Sequence, residues 1–178
     1  IDEWYEVLLA FKEYDPNGNG KKDEIPVITM NVKGLYKFAW SYGLHLALSE
    51  GWYANEEGTV VYERIDPKMK GWLQEMNKWY EAGLLDPDMD TQNGDKFTAK
   101  AIGDTAGVSA SSMTMQFPQW NERMNNDFPH AKWEGIVPPK GPNGDRMMER
   151  EQPTENFHYG ITRDCENPEI VIQWLDYM

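Results

Sequence analysis

The hydrophobic patterns of this sequence predict an α/β domain built on a small sheet. Short apolar runs, which favour strands, alternate along the chain with longer amphipathic runs, which favour helices. Such alternation is typical of domains in which helices pack against a sheet. The 178 residues suit one domain with a substantial core, and no internal repeat or low-complexity segment divides them. We therefore expect a single α/β domain over residues 1–178.

The first third of the chain is predicted to begin with a helix. Apolar residues recur at helical spacing from Asp2 to Tyr14, and Asp15-Pro16 ends the pattern because proline disfavours helical geometry in the preceding residue. A strand is expected from Ile25 to Thr29, and a second helix from Leu35 to Tyr42. No element is assigned to residues 43–55, and a further strand is expected from Thr59 to Tyr62.

The most sharply bounded helix begins at Asp66-Pro67, a capping residue followed by proline at the first helical position. It ends at Gly83, and Leu84 is placed to make the hydrophobic contact of a Schellman motif. The later elements follow from shorter patterns. They are a helix over 96–101, a strand over 105–108, a helical Met-rich stretch ending at Asn126, strands over 133–137 and 157–161, and a terminal helix after Asn167-Pro168.

The segment from Asp15 to Glu24 has the side-chain pattern of a calcium loop. Oxygen-bearing side chains stand at alternate positions and a glycine stands at the sixth, which is how an EF-hand-type loop surrounds calcium. Pro26 replaces the usual glutamate at position 12, so the loop is EF-like and Glu24 is expected to complete the shell. The alternative is a polar turn between a helix and a strand. The predicted ligands are Asp15, Asn17, Asn19, the Lys21 carbonyl, Asp23 and Glu24.

Charge and composition exclude several classes of function. The net charge is −13, and no cluster of basic residues could bind phosphates, so nucleic acid is not an expected partner. The lone Cys165 excludes an internal disulfide. No apolar run reaches the length of a membrane span, and no signal peptide is visible. Aromatic residues make up 13% of the chain, and we expect some of them to serve a purpose outside the core.

The sequence predicts no enzymatic activity. Its three histidines, His45, His130 and His158, are isolated and match no metal-binding spacing. No nucleophile elbow, phosphate-binding loop or dinucleotide fingerprint occurs. The many carboxylates leave a glycosidase pair conceivable, but only a defined separation in a cleft would support one.

Four stretches of the sequence resemble the extracellular solute-binding proteins of bacterial ABC importers. The resemblance is to the sugar-binding lipoproteins that carry a calcium loop, including the alginate-binding type. It extends over most of the chain in the same order. The stretches are EWYEVLLAFKEYDPNGNGKKDEIP (3–26), VVYERIDPKMKGWLQEMNKWYEAGLLDPD (60–88), PPKGPNGDR (138–146) and YGITRDCENPEIVIQWLDYM (159–178).

The resemblance implies one lobe of a two-lobed, type II periplasmic-binding-protein-like solute-binding fold, excised from a longer protein. It implies a structural calcium ion held by the loop residues, an oligosaccharide ligand enclosed by hinge closure, and ABC permease subunits as partners. It places the parent protein outside the cell as a lipoprotein, with the lipid anchor outside this segment. The open alternative is a calcium-dependent protein-interaction module of dockerin type, although such modules use two loops and one occurs here.

A sugar site needs aromatic platforms for C–H faces and polar groups for hydroxyls. Aromatic residues beside loops and serines at the end of a predicted strand meet that need, and two further contacts are implied by analogy with the family. The alternatives are core packing for the aromatic rings and helix capping for the serines. The candidate ligand contacts are Trp40, Tyr42, Ser109, Ser111, Ser112, Trp120, Trp133, Asn156 and Phe157; of these, Trp120 and Trp133 are candidates for exposed platforms.

Overall fold

The computed structural model describes residues 1–46, 51–55, 57–110, 116–148 and 160–177. Helices and short strands alternate along them, as the sequence predicts. In chain order the elements are α1 (Asp2–Glu13), β1 (Ile25–Ile28), a 3₁₀ helix (Val32–Tyr42), β2 (Trp52–Ala54), β3 (Val60–Tyr62), a 3₁₀ turn (Glu63–Ile65), α2 (Lys68–Glu81), α3 (Gly94–Ile102), β4 (Ala106–Ser109), α4 (Gln116–Met124) and α5 (Pro168–Tyr177).

The central sheet pairs β1 with β4 in parallel, with Val27 opposite Val108. Leu85, just after α2, adds an isolated parallel bridge to Val27. The Val27 N–H donates to the Leu84 carbonyl (3.0 Å), and the Asp86 N–H donates to the Val27 carbonyl (2.9 Å). The chain after α2 therefore continues the sheet on the other side of β1. Separately, β2 and β3 form an antiparallel hairpin.

Two hydrophobic clusters cover opposite faces of β1. Val27 belongs to the first cluster, which contains residues of α1, the 3₁₀ helix and α2. Its neighbour Ile28 belongs to the second, which contains residues of α3 and α4. Successive side chains of a strand point to opposite faces, so the sheet is covered by helices on both sides. In the first cluster the Phe38 ring meets Trp79 edge-on, with centroids 4.9 Å apart. The mixed α/β fold is confirmed.

The C-terminus of α2 is the Schellman ending that the sequence predicts. Gly83 has φ 65°, a conformation that glycine adopts without steric cost. The Gly83 N–H donates to the Tyr80 carbonyl, and the Leu84 N–H donates to the Trp79 carbonyl, both at 2.9 Å. Leu84 is fully buried. In addition, Lys12 Nζ of α1 donates to the Ala82 carbonyl (2.6 Å), which ties the two helices together.

A buried ion pair attaches α3 to the segment that follows α2 and borders β1. Asp86 is 1% exposed, and its Oδ1 accepts from Lys100 Nζ of α3 at 2.6 Å. Its Oδ2 accepts from Gln92 Nε2 at 3.0 Å, and the same nitrogen donates to the Thr29 carbonyl at 2.6 Å. A buried carboxylate is tolerated when it is paired and hydrogen-bonded in this way. The pair thus fixes α3 beside the carboxyl end of β1.

Residues 133–137 do not form the strand that the sequence predicts. The Trp133 N–H donates to Asn121 Oδ1 (2.7 Å), and Asn121 Nδ2 donates to the Trp133 carbonyl (3.0 Å). The amide side chain of α4 therefore satisfies the backbone groups that a partner strand would have used. Of the expected strand over 157–161, residues 157–159 lie outside the described residues, and 160–161 are not in a strand.

The hairpin and the terminal helix show two further differences from the sequence predictions. Strand β2 falls in the unassigned stretch 43–55. The terminal helix is present as α5, but none of its residues is buried. Its Trp174 side chain is 60% exposed. None of the helices in the described ranges is long and apolar enough to cross a membrane.

Candidate functional site

The loop between α1 and β1 turns the oxygens of its alternate side chains towards its own backbone. The Asn19 N–H donates to Asp15 Oδ1 (3.0 Å) and to Asn17 Oδ1 (2.9 Å). Asp15 Oδ2 accepts from the Gly20 N–H (2.7 Å), and Asn19 Oδ1 accepts from the Lys21 N–H (2.7 Å). Three predicted ligands at alternate positions therefore face one concave stretch of chain.

Glycine at the sixth position is required by the backbone of this loop. Gly20 has φ 77°, and Gly18 has φ 69°. The space around both is open, since an added Cβ would meet nothing within 4 Å. A side chain would therefore be disfavoured by the backbone conformation and not by crowding.

The carboxylates at the end of the loop are placed differently from one another. Asp23 Oδ1 accepts from Asn19 Nδ2 at 3.1 Å. Both carboxylate oxygens of Glu24 are enclosed and have no hydrogen-bond partner among the described residues. A buried carboxylate without a partner is costly, and a bound cation would remove that cost. The enclosed Glu24 carboxylate is therefore the observation that best supports calcium binding by this loop.

The loop does not form a cluster of acidic ligands in this arrangement. Within the part of the chain that the structure describes, no group of three His, Cys, Asp or Glu side chains is placed to hold a metal ion. The loop draws on two amide side chains and a carbonyl besides its carboxylates, and such mixed oxygen donors suit calcium.

A second candidate region is the carboxyl edge of the central sheet. Strands β1 and β4 are parallel and end side by side at Ile28 and Ser109, and the Ala110 N–H donates to the Ile28 carbonyl (3.1 Å). Ligands of open α/β sheets lie at such edges. Met30 and Asn31 follow β1 at this edge; Met30 is 38% exposed, and Asn31 Oδ1 accepts from the Lys33 N–H at 3.0 Å.

Sequence reasoning identified Ser109 at this edge but missed Met30 and Asn31. The sequence could have identified Met30 and Asn31, because both residues directly follow the strand expected over 25–29. Ser111, Ser112, Asn156 and Phe157 lie outside the described residues.

Trp40 and Tyr42 lie on the 3₁₀ helix and are each 8% exposed. Tyr42 belongs to the first core cluster. Burial, with smaller contributions from the charges of Glu75 and Asp2, raises the pKa of the Tyr42 phenol to about 12. The Trp40 carbonyl accepts from the Met147 N–H (3.2 Å). Both rings therefore contribute to packing, and their contact with a ligand stays a prediction.

Trp120 and Trp133 contact each other in the second cluster, with ring centroids 5.5 Å apart and planes at 62°. Trp120 is 3% exposed, so the hypothesis that it is an exposed platform is wrong; α4 turns the ring into the core. Trp133 is partly buried against the same cluster, and its indole N–H donates to the Ala101 carbonyl (2.7 Å). A ligand role for Trp133 stays a prediction.

The two histidines that the structure describes have carboxylate partners. His45 Nδ1 lies 2.7 Å from Glu63 Oε1, and the His45 N–H donates to Glu63 Oε2 (2.6 Å). His130 Nε2 lies 2.8 Å from Asp104 Oδ2. Both contacts join segments distant in sequence, so both histidines hold the fold together.

No protein-family model matches the chain. It is 27% identical over 168 residues to Lipoprotein LipO of Bacillus subtilis (strain 168), covering 91% of this chain and 32% of that protein. It is 25% identical over 188 residues to the fructooligosaccharide ABC transporter substrate-binding protein FusA of Streptococcus pneumoniae serotype 4, covering 98% of this chain and 32% of that protein. The chain thus spans about a third of the length of these relatives.

A solved structure of one of these relatives has a similar fold. The structure of an EF-hand mutant of S. pneumoniae FusA in complex with fructo-nystose matches with a TM-score of 0.66 and 23% identity, covering 99% of this chain and 35% of that one. Substrate-binding proteins of ABC transporters are not enzymes, in agreement with the sequence prediction. The chain has the mixed α/β fold of a part of a two-lobed solute-binding protein, and the proteins similar to it include substrate-binding proteins of ABC transporters.

Proposed function

We propose that this chain is part of the oligosaccharide-binding component of an ABC importer. The observation that carries the proposal is the sequence match to a fructooligosaccharide-binding relative over 98% of the chain, together with a fold match over nearly all of it. In this role the protein binds sugar and delivers it to permease subunits without chemical turnover. The relatives are about three times longer, and in this proposal these residues are a central segment that forms most of one lobe, while the remainder completes that lobe and supplies the second.

The sugar is proposed to lie at the carboxyl edge of β1 and β4. Exposed Met30 supplies an apolar surface there, and Asn31 and Ser109 supply polar groups suited to hydroxyls. Ser111 and Ser112, which follow Ser109 in the sequence, and Asn156 and Phe157, from a later segment, remain proposed contacts. Closure of a second lobe over this edge would enclose the ligand.

The Asp15–Glu24 loop is proposed to hold a structural calcium ion. Its oxygens face one concave stretch, and the enclosed Glu24 carboxylate has no hydrogen-bond partner among the described residues. A fold neighbour is described as an EF-hand mutant, which supports this proposal. The loop enters β1 at Ile25, whereas the sugar edge follows Ile28. At about 3.3 Å per strand residue the two sites are roughly 10 Å apart or more, so the ion would not touch the ligand.

The proposed location is the cell surface. One relative is named as a lipoprotein, and we propose a lipid anchor that lies outside these residues. This arrangement would hold the binding protein close to its permease.

The test is calorimetric titration of kestose and nystose into the full-length protein that contains this chain, preceded by a glycan array. Met30→Asp, at the proposed edge, should weaken binding at least tenfold, since it places a charge against the sugar. Val7→Asp is the matched control, because Val7 is 67% exposed on α1 and its substitution should leave affinity unchanged. Absence of glycan binding, with calcium-dependent capture of a protein partner, would favour the interaction module instead.

A further inference from the structure

We infer that Asp104 is a positioning residue for the Asp15–Glu24 loop, acting through its backbone carbonyl on Asn17. The inference rests on the proposed calcium site. Asp104 lies in the turn between α3 and β4, 87 positions from Asn17, and the Asn17 Nδ2 group donates to the Asp104 carbonyl at 2.7 Å.

Both ends of the loop are attached to the same short turn. Asn17, at the third loop position, is bound to Asp104. Ile25, the first residue after the loop, donates its N–H to the carbonyl of the adjacent Thr105 at 2.8 Å. The turn from Asp104 to Thr105 thus holds both the beginning and the end of the loop. A shift of this turn would move both ends of the loop.

The bond to Asp104 determines which way the Asn17 amide faces. An amide side chain offers a nitrogen that donates and an oxygen that accepts. With the nitrogen committed to Asp104, the oxygen is turned into the loop, where it accepts from the Asn19 N–H (2.9 Å). That oxygen is the group proposed to bind calcium. Asp104 therefore selects the orientation of Asn17 that can act as a ligand.

The backbone conformation of Asp104 is unusual, and it directs the Asp104 carbonyl towards Asn17. Its φ is 58°, and among the described residues it alone has a positive φ without being glycine. Aspartate tolerates this left-handed conformation better than most residues, whereas a β-branched side chain does not.

The side chain of Asp104 is anchored separately. Its Oδ2 lies 2.8 Å from His130 Nε2, and the side chains are 13% and 57% exposed respectively. His130 follows α4, so this contact fixes the turn to a second part of the fold. His130 therefore supports the same geometry from outside the loop.

The experiment measures terbium binding to the protein by luminescence sensitised through Tyr14, which precedes the loop and is 70% exposed, with calcium competition. Asp104→Val should weaken affinity about 10- to 100-fold, the usual loss for a residue that orients a metal ligand. Asp104→Gly permits the left-handed backbone and should lose less. His130→Ala should also weaken binding. Asp127→Val, at an exposed aspartate, is the matched control and should bind like the unmodified protein.

A second measurement needs no metal. The Asn17 side-chain amide should give a distinct NMR signal in the metal-free protein, and Asp104→Val should shift it while Asp127→Val should not. If the unmodified protein bound no terbium, the calcium proposal would fail and this inference with it. If it bound terbium but Asp104→Val bound equally well, or left the Asn17 signal in place, only the role of Asp104 would be overturned.

Discussion

Glu63 is a buried carboxylate whose two oxygens both accept hydrogen bonds from His45. Glu63→Ala should destabilise the protein by about 3 kcal/mol, because it leaves the partly buried backbone N–H of His45 without its partner and removes the imidazole contact. Glu63→Gln retains one acceptor oxygen and should cost less. Urea denaturation measures both, with exposed Glu57→Ala as the control. Equal stability of Glu63→Ala and Glu57→Ala would contradict this account.

The buried phenol of Tyr42 predicts a loss of stability at alkaline pH. Its pKa is raised from 10.0 to about 12 in the folded protein, so the unfolded chain releases the proton first. The contribution is fully present below pH 10 and is lost as the pH rises from 10 to about 12, amounting to at most about 3 kcal/mol. Tyr42→Phe should remove this part of the pH dependence. Tyr80→Phe should not, since Tyr80 is 62% exposed. Urea midpoints between pH 8 and 11.5 provide the measurement.

The calcium proposal predicts that the ion stabilises the fold. At a hundredfold excess over Kd, a ligand that binds only the folded state adds about 2.7 kcal/mol. Melting should therefore occur at a lower temperature when a chelator is added. Asp15→Ala should abolish most of this difference, and Asp95→Ala in α3 should retain it. An unchanged melting temperature, together with no site in calorimetric titration, would refute the proposal.

At the scale of elements, the C-terminus of α2 depends on Gly83. Gly83→Ala should destabilise the protein by about 1 kcal/mol, because alanine is strained at a φ of 65°. An added Cβ would also displace the end of Lys12, which binds the Ala82 carbonyl. Gly135→Ala is the control, since that position has open space and no positive φ. Chemical denaturation that ranked the two variants equally would show that the motif contributes little.

The elements that sequence reasoning predicted correctly are those set by local chemistry. Gly83 and Leu84 specify the end of α2 because the Schellman motif needs only neighbouring residues. The strand predicted over 133–137 does not form, because the side chain of Asn121, twelve positions away, hydrogen-bonds the backbone N–H and carbonyl of Trp133. The spacing in α5 predicted a helix correctly, but spacing alone does not reveal whether another element covers the apolar face.

The candidate site also has a part that local sequence predicts and a part that depends on contacts between distant residues. The loop from Asp15 to Glu24 is contiguous, so its pattern of donors was visible in the sequence. Its attachment to Asp104 was not, since no pattern links residues 87 positions apart. Trp120 was misjudged because its burial depends on α3 and α4 packing together.

At the scale of the whole molecule, the proposed function predicts that this chain binds sugar far more weakly than the longer protein. One lobe offers only part of the contacts and leaves the site open to water. Losing about 4 kcal/mol of contacts weakens Kd roughly a thousandfold. Calorimetry with the same oligosaccharide compares the two. Equal affinities would mean that the cleft lies wholly within these residues.

The parallel pairing of β1 with β4 also bears on how the chain folds. Ile25 lies opposite Ala106 and Val27 bridges to Leu85, so β1 gains its two neighbours only after loops of about eighty and nearly sixty residues have closed, and such non-local contacts slow folding. Until then β1 is an unpaired apolar strand open to aggregation. In pulsed hydrogen exchange during refolding, we expect the amides of α2 to gain protection early and those of β1 to gain it last.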